Sequence, residues 1–174
     1  LLPLGGFGAD IRWFDVEPCF VFHPLNAHDD GDRVVIDVIR HPKMFDRNRL
    51  GPDDGPPTVW RWTVDTASGV VHEQQLSDLA MEFPRVDERV VGRPHRWGYT
   101  AEVDRGGDKN DYGGRLLRID AVSGEVRPVD LGRGRTSGEW VMVPRADDAA
   151  EDDGWLMALV HDASTDRSEL CVLP

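Results

Sequence analysis

The sequence predicts an all-β protein assembled from repeated antiparallel units. Three observations carry this. Apolar residues come in short runs rich in Val, Ile, Phe and Trp, bounded by Gly, Pro and Asp clusters. No window of the chain places apolar residues at helical spacing. A strand–turn–strand pattern also recurs. Trp60-Arg61-Trp62-Thr63-Val64-Asp65-Thr66-Ala67-Ser68-Gly69-Val70-Val71 is echoed by Leu116-Leu117-Arg118-Ile119-Asp120-Ala121-Val122-Ser123-Gly124-Glu125-Val126. Asp65 and Asp120 stand 55 residues apart, as do the Ser-Gly pairs. A glycine there supplies the positive φ that a tight hairpin turn needs.

The elements follow in order. Residues 1–16 are Gly- and Pro-rich and then turn extended. Residues 17–23 and 33–40 read as strands, separated by the acidic turn His28-Asp29-Asp30-Gly31-Asp32. Residues 41–57 carry several prolines and the acidic cluster around Asp53, which marks a surface loop. Further strands begin at Gly98-Tyr99-Thr100-Ala101 and at Trp155-Leu156-Met157-Ala158. A beat of roughly 50 residues with several short strands per unit is a propeller signature. The repeat units are placed at 17–76, 77–131 and 132–174.

Three polar residues keep nearly the same beat. His23 precedes Glu82 by 59 residues, and Glu82 precedes Glu139 by 57. Each ends or begins a strand beside an aromatic: Phe22, Phe83 and Trp140. Equivalent places on innermost strands face one axis, so a histidine and two carboxylates converging there is one reading. The other is that polar strand ends merely cap the blades.

Composition limits the partners. The 174 residues carry 32 acidic and 20 basic side chains, a formal net charge of −12. Nucleic acid and anionic lipid both call for a basic footprint, so neither is expected. Cys19 and Cys171 form no disulfide framework or paired metal motif. Cys19 is expected in the core, and a reducing, cytoplasmic setting is the default. No apolar run approaches the ~18 residues of a membrane span. The N-terminal stretch lacks a signal-peptide pattern and an initiator Met, which suggests a start inside a longer chain.

Glu17-Pro18-Cys19-Phe20-Val21-Phe22-His23-Pro24-Leu25-Asn26-Ala27 resembles the third iron-ligand motif of the carotenoid oxygenases. That motif has an aromatic, a histidine, two variable residues and then Asn-Ala or Asn-Thr. The resemblance extends through Met81-Glu82-Phe83-Pro84-Arg85 and Gly138-Glu139-Trp140-Val141 to the whole chain. It implies a partial seven-bladed β-propeller of about three blades. It also implies Fe(II) held by four histidines on the propeller axis, with outer glutamates hydrogen-bonded to ligand histidines and O2 as co-substrate. His23 matches a ligand, and Glu82 and Glu139 match outer glutamates. The substrate class implied is an apolar conjugated molecule: a carotenoid, apocarotenoid or stilbene. Three ligands and the remaining blades have no counterpart in this sequence. Two functions therefore stand: a segment of a C=C-cleaving dioxygenase, or a non-catalytic partial propeller.

The other histidines read as structural. His28 lies in the acidic turn, His41 starts a loop, and His72 follows a hairpin. His95 sits among cations in Arg93-Pro94-His95-Arg96, and His161 precedes the turn Asp162-Ala163-Ser164-Thr165-Asp166. None shares the close spacing of a metal motif. Trp13, Trp60, Trp62, Trp97, Trp140 and Trp155 are expected to fill cores between sheets rather than line a tunnel. The carboxylate-rich loops around Asp53 and Asp148 lack EF-hand spacing and read as solvated.

Overall fold

The computed structural model describes residues 1–46, 49, 55–104 and 111–174. The acidic cluster around Asp53 lies outside them. The described chain forms three antiparallel sheets. The first has β1 (Phe20–Asp30), β2 (Arg33–His41), β3 (Thr58–Asp65) and β4 (Val71–Gln75), in that order. The middle sheet has β5 (Met81–Arg85), β6 (Trp97–Asp104), β7 (Asp111–Asp120) and β8 (Val126–Val129). In the third, β9 (Arg135–Ser137) and β10 (Val141–Pro144) share one side of β11 (Gly154–Asp162), and β12 (Arg167–Leu173) takes the other. Among the described residues, helix is limited to two three-residue 3₁₀ turns, Gly8–Asp10 and Glu88–Val90. None is long or apolar enough to cross a membrane.

The repeated hairpins close in the same way. Asp65 Oδ1 accepts from the amides of Ala67 and Ser68, and Asp120 Oδ1 accepts from those of Val122 and Ser123. Gly69 and Gly124 have φ of 80° and 77°, the left-handed conformation that an L side chain resists. Asp120 is further gripped by Arg96, through Nε at 3.0 Å and Nη2 at 2.8 Å. That pairing, with the two amides, holds its carboxyl at about 2. The first hairpin is tighter than the acidic run suggests. His28, Asp29 and Asp30 belong to β1, and the turn is only Gly31-Asp32.

The core lies between the sheets, and side-chain alternation explains how one sheet feeds two cores. Leu116 and Leu117 are neighbours on β7 and point to opposite faces. Leu116 packs with Tyr99, Trp140, Met142 and Leu156 against the third sheet. Leu117 joins Ile119, Ile39, Val59 and Met81 against the first. The middle sheet is thus covered on both faces, while Leu159, Leu170 and Val172 of the third remain exposed.

The segment between β5 and β6 ties all three sheets together. Asn26 on β1 donates through Nδ2 to the carbonyls of Val90 (3.1 Å) and Arg93 (3.0 Å), and its Oδ1 accepts from the Gly92 amide at 3.0 Å. Arg89 reaches the carbonyls of Asp147 and Ala149, both at 3.0 Å. In return, Glu151 accepts from the amides of Arg96 and Trp97. The asparagine of the histidine motif is therefore a staple between sheets.

Two expectations need correcting here. Cys19 is half-buried rather than a core residue, because the strand begins only at Phe20. The tryptophans do not act alike. Trp140 is fully buried and donates to Ser137 Oγ at 3.0 Å, whereas Trp13 is 88% exposed. Trp60, Trp97 and Trp155 each lie under an arginine, 4.1–4.8 Å from ring centroid to guanidinium carbon.

Candidate metal centre

Three strands open their sheets: β1, β5 and the interrupted β9–β10 pair. Each loses register by one residue at the same relative place. Between Val21↔Arg40 and Pro24↔Val38, β1 advances three residues while β2 advances two. Between Glu82↔Ala101 and Arg85↔Tyr99, β5 advances three against two. Between Ser137↔Val160 and Val141↔Met157, the third opening segment advances four against three. The irregular stretches contain His23, begin at Glu82, and contain Glu139. A surplus residue kinks the strand and re-aims a side chain. Two of these irregularities also hold a proline, Pro24 and Pro84, which cannot donate to a ladder.

The structure brings His23 and Glu82 together. His23 Nδ1 donates to Glu82 Oε2 at 2.7 Å. The ring's remaining donor atom is Nε2, and the His23 side chain is 43% exposed. Glu82 is 2% exposed and accepts two more hydrogen bonds. The Phe83 amide reaches Oε2 at 2.7 Å, and His41 Nε2 reaches Oε1 at 2.7 Å. Burial pushes the Glu82 carboxyl up, but the bonds from His41, Phe83 and His23 outweigh it. The net displacement is below the usual carboxylate value. The Phe83 bond has a backbone cost. Phe83 has φ 56°, a left-handed conformation that is strained for a bulky residue.

Glu139 lies elsewhere on the same hollow. Its described partner is Arg85, whose Nη1 donates to Oε2 at 3.1 Å. Arg85 also pairs with Glu88. His23, Phe83, Arg85 and Glu139 together line a cavity of about 290 Å³. Glu139 is 48% exposed at its side chain, so its surroundings differ sharply from those of Glu82.

Sequence reasoning missed His41. It does not start a loop. It closes β2, opposite Phe20, with its side chain 1% exposed and bonded to Glu82. A signal was present: like His23, it is a histidine ending a Val- and Ile-rich run. His95 also departs from expectation. It is buried, and its Nε2 lies 3.4 Å from Asp37, which also holds Arg61 through two hydrogen bonds. Burial keeps the ring below its usual pKa despite the neighbouring carboxylate. His72 is exposed, and His161 is half-exposed against Asp166.

The donor set suits one corner of a metal shell. A neutral imidazole suits iron, and a carboxylate on its other nitrogen fixes tautomer and direction. Among the described residues, no group of three or more His, Cys, Asp or Glu side chains is placed to hold a metal ion.

Residues 4–174 match the family described as retinal pigment epithelial membrane protein. The chain belongs to the carotenoid oxygenase family. It is 39% identical over 181 residues to a carotenoid cleavage oxygenase of Mycobacterium tuberculosis, covering 99% of this chain and 36% of that one. It is 31% identical to the apocarotenoid-15,15'-oxygenase of Synechocystis, covering 95% and 35%. It is 30% identical to the isoeugenol monooxygenase of Pseudomonas putida, covering 99% and 39%. The crystal structure of cobalt-substituted Synechocystis ACO superposes with TM-score 0.83 at 32% identity, over 95% of this chain and 36% of that one. The chain thus spans somewhat more than a third of these carotenoid oxygenase relatives.

Proposed function

We propose that this chain supplies three of seven propeller blades, and one of four histidine ligands, to a non-haem Fe(II) dioxygenase. The reaction adds O2 across a conjugated carbon–carbon double bond and leaves two carbonyl products. The observation that carries the reading is the His23–Glu82 pair. A ring with Nδ1 anchored on a buried, ionised carboxylate presents Nε2 as a neutral metal ligand. The substrate is an apolar conjugated molecule, a carotenoid, apocarotenoid or stilbene. This follows the substrates named in the relatives, and it suits the aromatic rings of Phe22 and Phe83 beside His23.

Iron, when bound, supplies the activation of oxygen. The residues of this chain do the positioning. Glu82 holds the proton on His23 Nδ1 and so fixes the tautomer that leaves Nε2 free. The Phe83 amide and His41 hold Glu82 in turn. Phe22 sets its ring edge-on against His41, with centroids 5.2 Å apart, and shields that side from water. Arg85 holds the Glu139 carboxylate at the rim of the same cavity.

The test is iron content and product formation in the intact protein carrying this sequence. One iron per chain, and aldehyde products from an apocarotenoid or a stilbene, are expected. His23→Ala should abolish both. An intact protein that holds no iron and cleaves neither substrate would leave the non-catalytic partial propeller as the correct reading. One observation favours that second reading: within the described residues His23 has no fellow ligands. An intact-mass measurement on the native protein separates a free-standing 174-residue chain from a segment of a longer one.

A further inference from the structure

The geometry points to His41 as a positioning residue that orients the metal-facing histidine at one remove, through Glu82. This rests on the reading of His23 as a ligand. The two oxygens of Glu82 are unequally served. Oε2 accepts from both His23 Nδ1 and the Phe83 amide, each at 2.7 Å. Oε1 accepts from His41 Nε2 at 2.7 Å. The terminal torsion of a glutamate is broad, so donors gathered on one oxygen leave the carboxylate free to swing. A donor on the second oxygen removes that freedom.

His41 is built for this one bond. Its side chain is 1% exposed, and it ends β2 directly opposite Phe20. The Phe22 ring meets its face edge-on. Its other nitrogen, Nδ1, is buried without a hydrogen-bond partner in the structure. A buried imidazole with a single polar contact directs its hydrogen-bonding capacity at that contact. The ring therefore donates from Nε2 and carries no proton on Nδ1, which would otherwise be an unpaired buried donor.

The chain of command runs His41, Glu82, His23. Neither His41 nor Glu82 touches the metal. Losing the His41 bond strips Oε1 of its partner in a dry site and lets Oε2 drift from His23 Nδ1. The imidazole of His23 is then free to exchange tautomers and to turn.

Two variants of the intact protein isolate the bond. In His41→Gln the side-chain amide reaches where Nε2 stood and still donates. In His41→Asn it falls short. His41→Leu replaces Asn if that variant does not fold. The first readout is the ¹⁵N spectrum of histidine-labelled, metal-free protein at one neutral pH. Wild type and His41→Gln should show His23 held as the Nδ1–H tautomer, and His41→Asn should show a mixture. The second readout is Fe(II) titration, with at least tenfold weaker binding expected for Asn and near-wild-type binding for Gln. The inference is overturned if His41→Asn keeps both the His23 tautomer and the affinity, or if Gln fails as badly as Asn. A protein that binds no iron, yet whose His23 tautomer follows residue 41, supports the relay and sinks the ligand reading instead.

Discussion

Glu82 and Glu139 occupy matching places in neighbouring sheets, and their surroundings have little in common. Glu82 is buried under three donors, two of them imidazoles. Glu139 stands half in water, on a single described guanidinium. The covering sheets explain the difference. Glu82 opens the middle sheet, which has a neighbour on each face. Glu139 opens the third sheet, whose far face is bare. An equivalent position in a repeat thus sets where a side chain starts, while the adjoining unit sets what it becomes.

The comparison breaks most visibly in stability. Glu82→Ala should cost about 3 kcal/mol, because it orphans His41 Nε2 and the Phe83 amide in a dry site. Glu139→Ala should cost less than about 0.5 kcal/mol, as exposed positions usually do. Denaturant titration of both variants checks this, and equal losses would refute the contrast. In the metal-loaded intact protein, Glu82→Gln should lower metal affinity or activity roughly 10–100-fold. Unchanged iron content and turnover would remove its role as anchor.

Acid should sharpen the contrast further. The folded-state pKa of Glu82 lies below its unfolded value. Its stabilisation is therefore complete above the ordinary glutamate range and fades as pH falls through the depressed folded value. The stability gap between wild type and Glu82→Gln should narrow only in that acidic window. A gap that is constant from neutral to strongly acidic pH would show that the carboxylate charge is not what matters. The smallest effect belongs to Arg85→Ala. Loss of an exposed pair should cost under ~1 kcal/mol, and less as salt rises. A large, salt-independent loss would mean that Arg85 and Glu139 are coupled more tightly than their exposure indicates.

The isolated 174-residue chain gives one more test. It should bind Fe(II) no more tightly than a surface histidine does. It should also self-associate through faces such as that of Leu159, Leu170 and Val172, and more so as salt screens its net negative charge. Tight stoichiometric iron on a monodisperse monomer would contradict this.

The sheets were legible because their signals are local. A Ser-Gly pair behind an aspartate specifies the same turn at residues 65–69 and 120–124 from its own side chains. His23 and Glu82 were legible because each ends an apolar run at a fixed beat. His41 was not, since its partner lies 41 residues away across a register that depends on an irregularity in β1. Nor was the strained backbone of Phe83, which exists to deliver one amide to Glu82. Asn26 was visible as a motif residue, but its work is done on loop carbonyls more than sixty positions later. Partners that meet only after the sheets stack leave no periodic trace in the chain.

The surplus residue at the start of each sheet has a consequence for chain length. Side chains alternate faces along a strand, so one extra residue changes the phase of everything beyond it. On β5, removing Pro84 would restore regular pairing with β6. It would also turn Arg85 to the opposite face, away from Glu139. The same holds for Pro24 beside His23. Substitutions at these kinks are therefore graded injuries, whereas a single-codon deletion there is a frame error in space. Insertions of one residue in the hairpin tips at Gly31-Asp32 or 163–166 carry no such penalty, because nothing downstream counts from them.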